Sequence, residues 1–387
     1  MYKTPDYGAT WQKITKGIPS DEFTRVVRAD PNRQGLLYAG TEAGMYISFD
    51  DGDTWRSFQE NLPIVPITDL AIKNNNLIAA TQGRSFWLVD DLTPLHQLNK
   101  GFMTKSVNLF KPMDSYRIDG SSNGKSKTSG TNHPGGVMVN YLIKDTTVVD
   151  TIRLEFRSEK NELITAFSNH PDKKLKEGKL EIKPGMNNFN WNMRYPGAET
   201  FDGMVLWWAS MDGPKAIPGK YKVALVTGKS EIVRDFEILK DPRSSATDSD
   251  LKSQFDFLQS LVEKVSRTHK AIKNLRITKT QIDDVLEQVA EVEGAKDVKE
   301  LGKEIKKELT KVEERLYQTK NSSSQDPLNF PIRLNNKLAH LNSLMVVGDF
   351  RPTDSALKFR NEISAEIDKE LEKLEAVYQE KIPEFNK

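Results

Sequence analysis

The chain has no cysteine among its 387 residues. That excludes disulfides and thiolate metal sites. Histidine is sparse: His96, His133, His170, His269 and His340 are scattered, and none forms an HxxxH or another ligand spacing. No metal site and no cofactor is therefore expected. Charge of one sign is also lacking, with 56 Lys+Arg against 55 Asp+Glu. The balance is local as well: 15 basic and 14 acidic residues in 1–130, 16 and 14 in 131–240, 25 and 27 in 241–387. No region is basic enough to suggest nucleic acid or an anionic membrane as partner. No apolar run approaches the roughly 18 residues of a transmembrane helix, and no signal-peptide pattern opens the chain. P-loop, GxGxxG and serine nucleophile-elbow motifs are missing too.

What is present is an octapeptide that occurs twice. Thr4-Pro5-Asp6-Tyr7-Gly8-Ala9-Thr10-Trp11 and Ser48-Phe49-Asp50-Asp51-Gly52-Asp53-Thr54-Trp55 both read Ser/Thr-x-Asp-x-Gly-x-Thr-Trp, 44 residues apart. That spacing is the size of one four-stranded β-propeller blade. Asp tightens a turn by bonding the backbone two residues on, and Gly permits a positive φ. Thr and Trp then suit a strand, with the indole buried. The motif predicts a hairpin, and Thr4, Asp6, Gly8, Trp11, Ser48, Asp50, Gly52 and Trp55 are read as structural. It resembles the Asp-box, or BNR, repeat of sialidases, xyloglucanase-type glycosidases and sortilin-type receptors.

Three regions follow. Residues 1–98 are expected to hold about two propeller blades and a remnant. Thr24–Asp30, Leu36–Glu42 and Gly44–Phe49 alternate like strands between Pro-Asn and Gly turns. Asp69–Lys73, Leu77–Thr81 and Ser85–Asp90 form a degenerate second copy. A propeller closes only as a ring of roughly four to eight blades, so the chain is expected to be the C-terminal piece of a longer parent whose other blades would be its partners. Two chains completing one ring is the alternative.

Residues 99–136 are assigned as linker, on the Gly/Ser-rich composition of 120–136. Residues 137–240 carry short alternating segments: Val137–Ile143, Thr151–Phe156, Leu180–Ile182, Asn188–Met193, Lys220–Val226 and Glu231–Ile238. That pattern predicts a small antiparallel β-sandwich. Ile217-Pro218-Gly219-Lys220-Tyr221 resembles the penultimate turn of FlgD-type Ig-like modules. Residues 241–387 hold only 3 of the 23 Gly and none of the 6 Trp. Leu251, Phe255, Leu258, Val262, Val265, His269 and Ile272 step by four and three. Thr247-x-x-Asp250 reads as a capping box. One helix of about 65 Å is expected up to Glu293, with Gly294 ending it and three more helices behind, as an antiparallel bundle. The fold class is thus multidomain, β plus α.

A longer run carries a closer resemblance. Gly83-Arg84-Ser85-Phe86-Trp87-Leu88-Val89-Asp90-Asp91-Leu92-Thr93-Pro94-Leu95 looks like the last blade of a family of bacterial BNR-repeat proteins, described as glycosyl-hydrolase-like or sortilin-like. Arg194-Tyr195-Pro196-Gly197-Ala198, Phe201-Asp202-Gly203-Met204, Leu206-Trp207, Gly213-Pro214 and Asp241-Pro242-Arg243 resemble the same family. The resemblance implies an exported parent, periplasmic, cell-surface or secreted, and covers only the family's C-terminal third.

Candidate ligand contacts are few. Glycoside hydrolysis needs two carboxylates about 5–9.5 Å apart, and Asp50, Asp51 and Asp53, or Asp90 and Asp91, are the acid clusters. The first belongs to the octapeptide; the second serves equally as a turn or cap. Arg84 is read as reaching a ligand or as an inter-blade ion pair. Trp207-Trp208 offers a stacking platform for a sugar; as adjacent strand residues they are expected to face opposite ways. His269 is expected to be a satisfied core residue. No catalytic residue is assigned. The function expected is glycan or protein recognition by the end of a propeller protein. The alternatives are part of a glycoside hydrolase whose carboxylates lie in upstream blades, and an envelope assembly protein acting through its helical bundle.

Overall fold

A computed structural model describes residues 1–120, 130, 132–146, 150–228 and 230–387. The chain is mixed β plus α and divides into two compact units. The first comprises Met1–Ser115, Asp119–Trp191 and Lys220–Glu237; the second comprises Tyr116–Ile118, Asn192–Gly219 and Ile238–Lys387.

The first unit opens with a two-stranded hairpin, β1 (Tyr2–Lys3) and β2 (Gln12–Lys13). A four-stranded antiparallel meander follows in the order β3 (Thr24–Ala29), β4 (Leu37–Thr41), β5 (Met45–Ser48), β6 (Arg56–Ser57). Next comes a three-stranded meander, β7 (Ile67–Lys73), β8 (Asn76–Thr81) and β9 (Phe86–Val89). Alternation places Val26, Tyr38, Ile47, Ile67, Leu70 and Leu77 in one shared core between the two meanders. Short helix α1 (Thr93–Gln97) adds Leu95, and the preceding Leu92 is fully buried.

Residues 99–120, inside the stretch that composition marks as linker, hold regular elements: α2 (Lys100–Thr104), β10 (Val107–Leu109) and β11 (Ser115–Tyr116). The bias that suggested a linker is confined to residues 120–136, and of these 121–129 and 131 lie outside the described residues. Two sheets follow. One runs β10, β12 (Val137–Ile143), β16 (Gly185–Trp191). The other runs β11, β18 (Ser230–Leu239), β17 (Gly219–Thr227), β13 (Ile152–Ser158), β14 (Leu163–Ser168), β15 (Gly178–Lys179). Trp191 on β16 stacks on Phe156 of β13 at 4.5 Å and meets Tyr221 and Phe236 edge-on. Aromatic burial of this kind joins the two sheets. The strand expected at Leu180–Ile182 is only the two-residue β15, just before it.

The second unit is helical. In α3 (Asp248–Gln288) Thr247 accepts from the amide of Asp250 while the Asp250 carboxylate accepts from the amide of Thr247, so the capping box forms as its sequence dictates. Its apolar stripe buries Leu251, Leu258, Val262, Val265 and Ile272. The helix ends at Gln288 and an irregular turn runs to Gly294, whose φ is +86°. Helices α4 (Lys296–Leu316), α5 (Leu334–Met345) and α6 (Asp354–Ala376) pack with α3 around one core of Ile305, Leu309, Leu338, Ile367 and Leu371. Among the described residues no helix is long and apolar enough to cross a membrane.

Candidate functional site

The two octapeptides build the same turn from the same bonds. In the second, Asp50 Oδ1 accepts from the amide of Thr54 at 2.8 Å and Asp50 Oδ2 from its hydroxyl at 2.5 Å. Ser48 Oγ accepts from the amide of Gly52 at 2.9 Å and donates to Asp50 Oδ1 at 2.8 Å. In the first, Asp6 takes the amide and hydroxyl of Thr10 at 2.8 and 2.6 Å, and Thr4 Oγ1 takes the amide of Gly8 at 2.6 Å. Gly8 and Gly52 have φ of +98° and +92°, a region open to glycine. Burial pushes the Asp50 carboxyl up, but the bonds from Thr54 and Ser48 outweigh it and hold its pKa below 3.8. Both carboxylates are occupied in closing a turn.

The tryptophans that end the motifs differ. Trp55 is 3% exposed, with its indole N–H donating to the carbonyl of Ile14 at 3.0 Å. Trp11 is 62% exposed.

Near the second turn a cleft of about 580 Å³ is lined by Arg33, Phe49, Asp50, Arg56 and Asn99. Arg33 lies over the Phe49 ring at 4.9 Å and bonds the carbonyl of Leu95. Beneath it the Asp30 carboxylate is fully enclosed. It accepts from Tyr38 at 3.0 Å, from the amides of Asn32 and Arg33 at 2.8 and 3.1 Å, and meets His96 Nε2 at 2.9 Å. Burial raises the Asp30 pKa, and the bonds from His96, Asn32 and Tyr38 reverse that and lower it. An Asp–His pair of this kind orients an imidazole, as in acid–base sites; here it ties α1 to the β3–β4 turn.

The sequence candidates are dispersed. Arg84 is exposed in the β8–β9 turn, its guanidinium donating to the carbonyl of Gly83 at 3.1 Å. Among the described residues no ion pair includes it. Asp90 is exposed at the far end of β9, and Asp91 Oδ1 accepts from the amide of Thr93 at 2.8 Å, closing the turn that leads into α1. Arg84 and Asp90 are six residue steps apart, at opposite ends of β9 and separated by up to about 20 Å of extended chain, so the two do not converge on one ligand.

Trp207 and Trp208 lie in the second unit, and here the strand expectation is corrected. Neither is in a strand; Trp208 has φ of +45°, which turns the chain sharply, and the two rings stack with centroids 5.8 Å apart and planes 3° from parallel. Trp208 is 73% exposed. The segment 192–219 that carries them is irregular. Its arms meet where the amide of Tyr195 donates to Pro214 and that of Ala198 to Met211, at 2.9 and 2.7 Å. A Cβ on Gly213 would lie 2.1 Å from the carbonyl oxygen of Tyr195, so the close approach needs glycine.

Helix α5 clamps this loop through its polar side chains. Asn336 accepts from the amide of Trp207 at 2.7 Å and donates to its carbonyl at 2.8 Å. His340 Nδ1 and Ser343 Oγ grip the carbonyl of Trp208 at 2.7 and 2.9 Å. Asn342 donates to the carbonyls of Ser210 and Asp212, both at 3.0 Å. Val205 is held by the Tyr317 hydroxyl at 2.9 Å. Sequence reasoning missed this clamp; the signal was three asparagines in a 12-residue helix, where asparagine is a poor choice unless its side chain has other work.

Deeper in, His269 is fully buried. Its Nδ1–H donates to the carbonyl of Glu199, and Nε2 accepts from Asn335 Nδ2 at 3.1 Å, with the ring edge-on to Phe201 at 5.2 Å. It is the satisfied core histidine its place on the stripe suggests. Burial lowers its pKa from 6.5, so the unfolded chain takes up a proton where the folded one resists it. This residue therefore contributes stability that is complete above pH 6.5 and declines as pH falls below it. Thermal melts of the wild type and His269→Gln between pH 5 and 8 are expected to differ in slope, with the wild type losing more stability toward acid.

No group of acids and histidines suited to a metal occurs among the described residues. Compared with known proteins, the chain matches no family model, and the curated proteins contain no match to it.

Proposed function

We propose that this chain is the C-terminal part of an exported Asp-box propeller protein that recognises glycans, with the Trp207–Trp208 pair as its sugar platform and no complete active site of its own. The meanders β3–β6 and β7–β9 are read as terminal blades, and the two aromatic-bridged sheets as an FlgD-type Ig-like sandwich. The observation that carries the binding role is the stacked pair itself: an exposed indole on a backbone fixed by four side chains of α5. Aromatic faces bind the C–H face of a sugar, and fixing the ring beforehand removes the ordering cost from the binding step. Recognition is favoured over cleavage because Asp6, Asp50 and Asp91 each hold a turn.

The test is a glycan array followed by calorimetry with the intact chain. Trp208→Ala is expected to weaken the best oligosaccharide by about tenfold, or ~1.4 kcal/mol, with the melting temperature unchanged. An array with no bound glycan would sink the proposal.

A further inference from the structure

The internal repeat supplies its own template for an unfilled surface. With an offset of 44 residues the hairpin β1–β2 superposes on β5–β6 in register: Tyr2 faces Lys13 as Tyr46 faces Ser57, and Lys3 faces Gln12 as Ile47 faces Arg56. Even the residue ahead agrees, since Met1-Tyr2 matches Met45-Tyr46. What surrounds the two hairpins does not agree. Strand β5 is paired along its other edge by β4, whereas among the described residues β1 pairs only with β2. Tyr46 is 9% exposed and Tyr2 63%.

The segment Ile14–Ile18 covers the second motif. Ile14 presses on Gly52, where a Cβ would come within 2.8 Å of its side chain, and takes the indole N–H of Trp55 on its carbonyl. The carbonyl of Lys16 takes the Trp55 amide at 2.8 Å. At the first motif a Cβ on Gly8 would meet nothing closer than 3.9 Å, and that contact is Trp11 itself. Among the described residues no carbonyl receives the indole of Trp11. Two separate deficits, an open strand edge and an uncovered Gly–Trp face, thus lie on one hairpin.

We infer that the face formed by Tyr2, Gly8 and Trp11 docks a repeat unit of this chain's own kind, a segment with the chemistry of residues 12–44. One such segment fills both deficits. Its counterpart of Leu37–Thr41 adds a strand to β1, and its counterpart of Ile14–Lys16 lays a branched side chain on Gly8 while presenting two carbonyls to Trp11. Strand addition of this sort takes affinity from main-chain bonds and specificity from the side-chain pockets. The inference rests on reading β1–β6 as repeated blades and is independent of the glycan platform, which lies in the other unit.

A synthetic peptide of residues 12–44 contains no tryptophan, so it is silent when added to the intact chain and observed by indole fluorescence. The expected result is one-to-one binding with a blue shift that disappears in Trp11→Phe. Trp11→Ala is expected to weaken binding by about tenfold or more, and a peptide carrying Ile14→Asp should not bind. Trp11 is exposed, so its variants keep the fold, checked by circular dichroism. No binding, or binding indifferent to Trp11→Ala, overturns the inference. So does a chain that dimerises by light scattering through Trp11 without peptide, which would make the occupant a second copy. Loss of glycan binding with peptide binding intact would strike only the glycan proposal.

Discussion

Trp55→Ala is expected to lower the unfolding free energy of the first unit by roughly 3–5 kcal/mol, while Trp11→Ala changes it by no more than about 0.5 kcal/mol. The two residues end the same motif, on turns with the same bonds. Trp55 is enclosed with Ala39 and Tyr46, Ile18 packs against that cluster, and the Trp55 indole N–H is bonded. Truncation there leaves a cavity and an unpaired carbonyl at Ile14, and both add to the lost transfer energy. Trp11 has nothing to lose. Urea denaturation of each variant, followed by far-ultraviolet circular dichroism, measures both values. Equal costs would mean that the Trp11 face is covered in solution.

Asn336→Ala is expected to destabilise the second unit by about 1–3 kcal/mol and to weaken glycan binding as much as loss of Trp208 does. The side chain satisfies both the amide and the carbonyl of Trp207, and both would be stranded. Because Trp207 and Trp208 stack, release of one backbone frees both rings. Asn336 touches no sugar in this arrangement, so it is a positioning residue, and Asn336→Asp separates the roles. The carboxylate can still accept from Trp207 but cannot donate to it, so partial rescue of stability with little rescue of binding is expected. Hydrogen exchange at Trp207 and Trp208 reads the loosening directly.

How far the sequence discloses this molecule varies with the range of the forces involved. The octapeptide turns are closed by side chains four residues apart, so the motif contains its own explanation, and so does the capping box of α3. Helices α3 to α6 were legible because each buries a single periodic stripe. Strand β14 was passed over although Leu163–Ser168 alternates and follows Asn161 in a left-handed turn. Strand β10 is three residues long and acquires its identity only by pairing with β12. The Trp pair was found but its geometry was not, because positive φ at Trp208 is imposed by partners about 130 residues away on α5. Local chemistry announces itself; a clamp assembled from distant asparagines does not.

The octapeptide turn also sets a timescale. Its bonds close a loop of so few residues that searching for them takes microseconds at most, about the rate of hairpin formation. Seating Ile14 on Gly52 joins residues much farther apart and must wait for the chain to bring them together. The turns at Asp6 and Asp50 are therefore equals in how fast they form and unequals in what later locks them. One becomes the seed of a finished sheet; the other stays a seed.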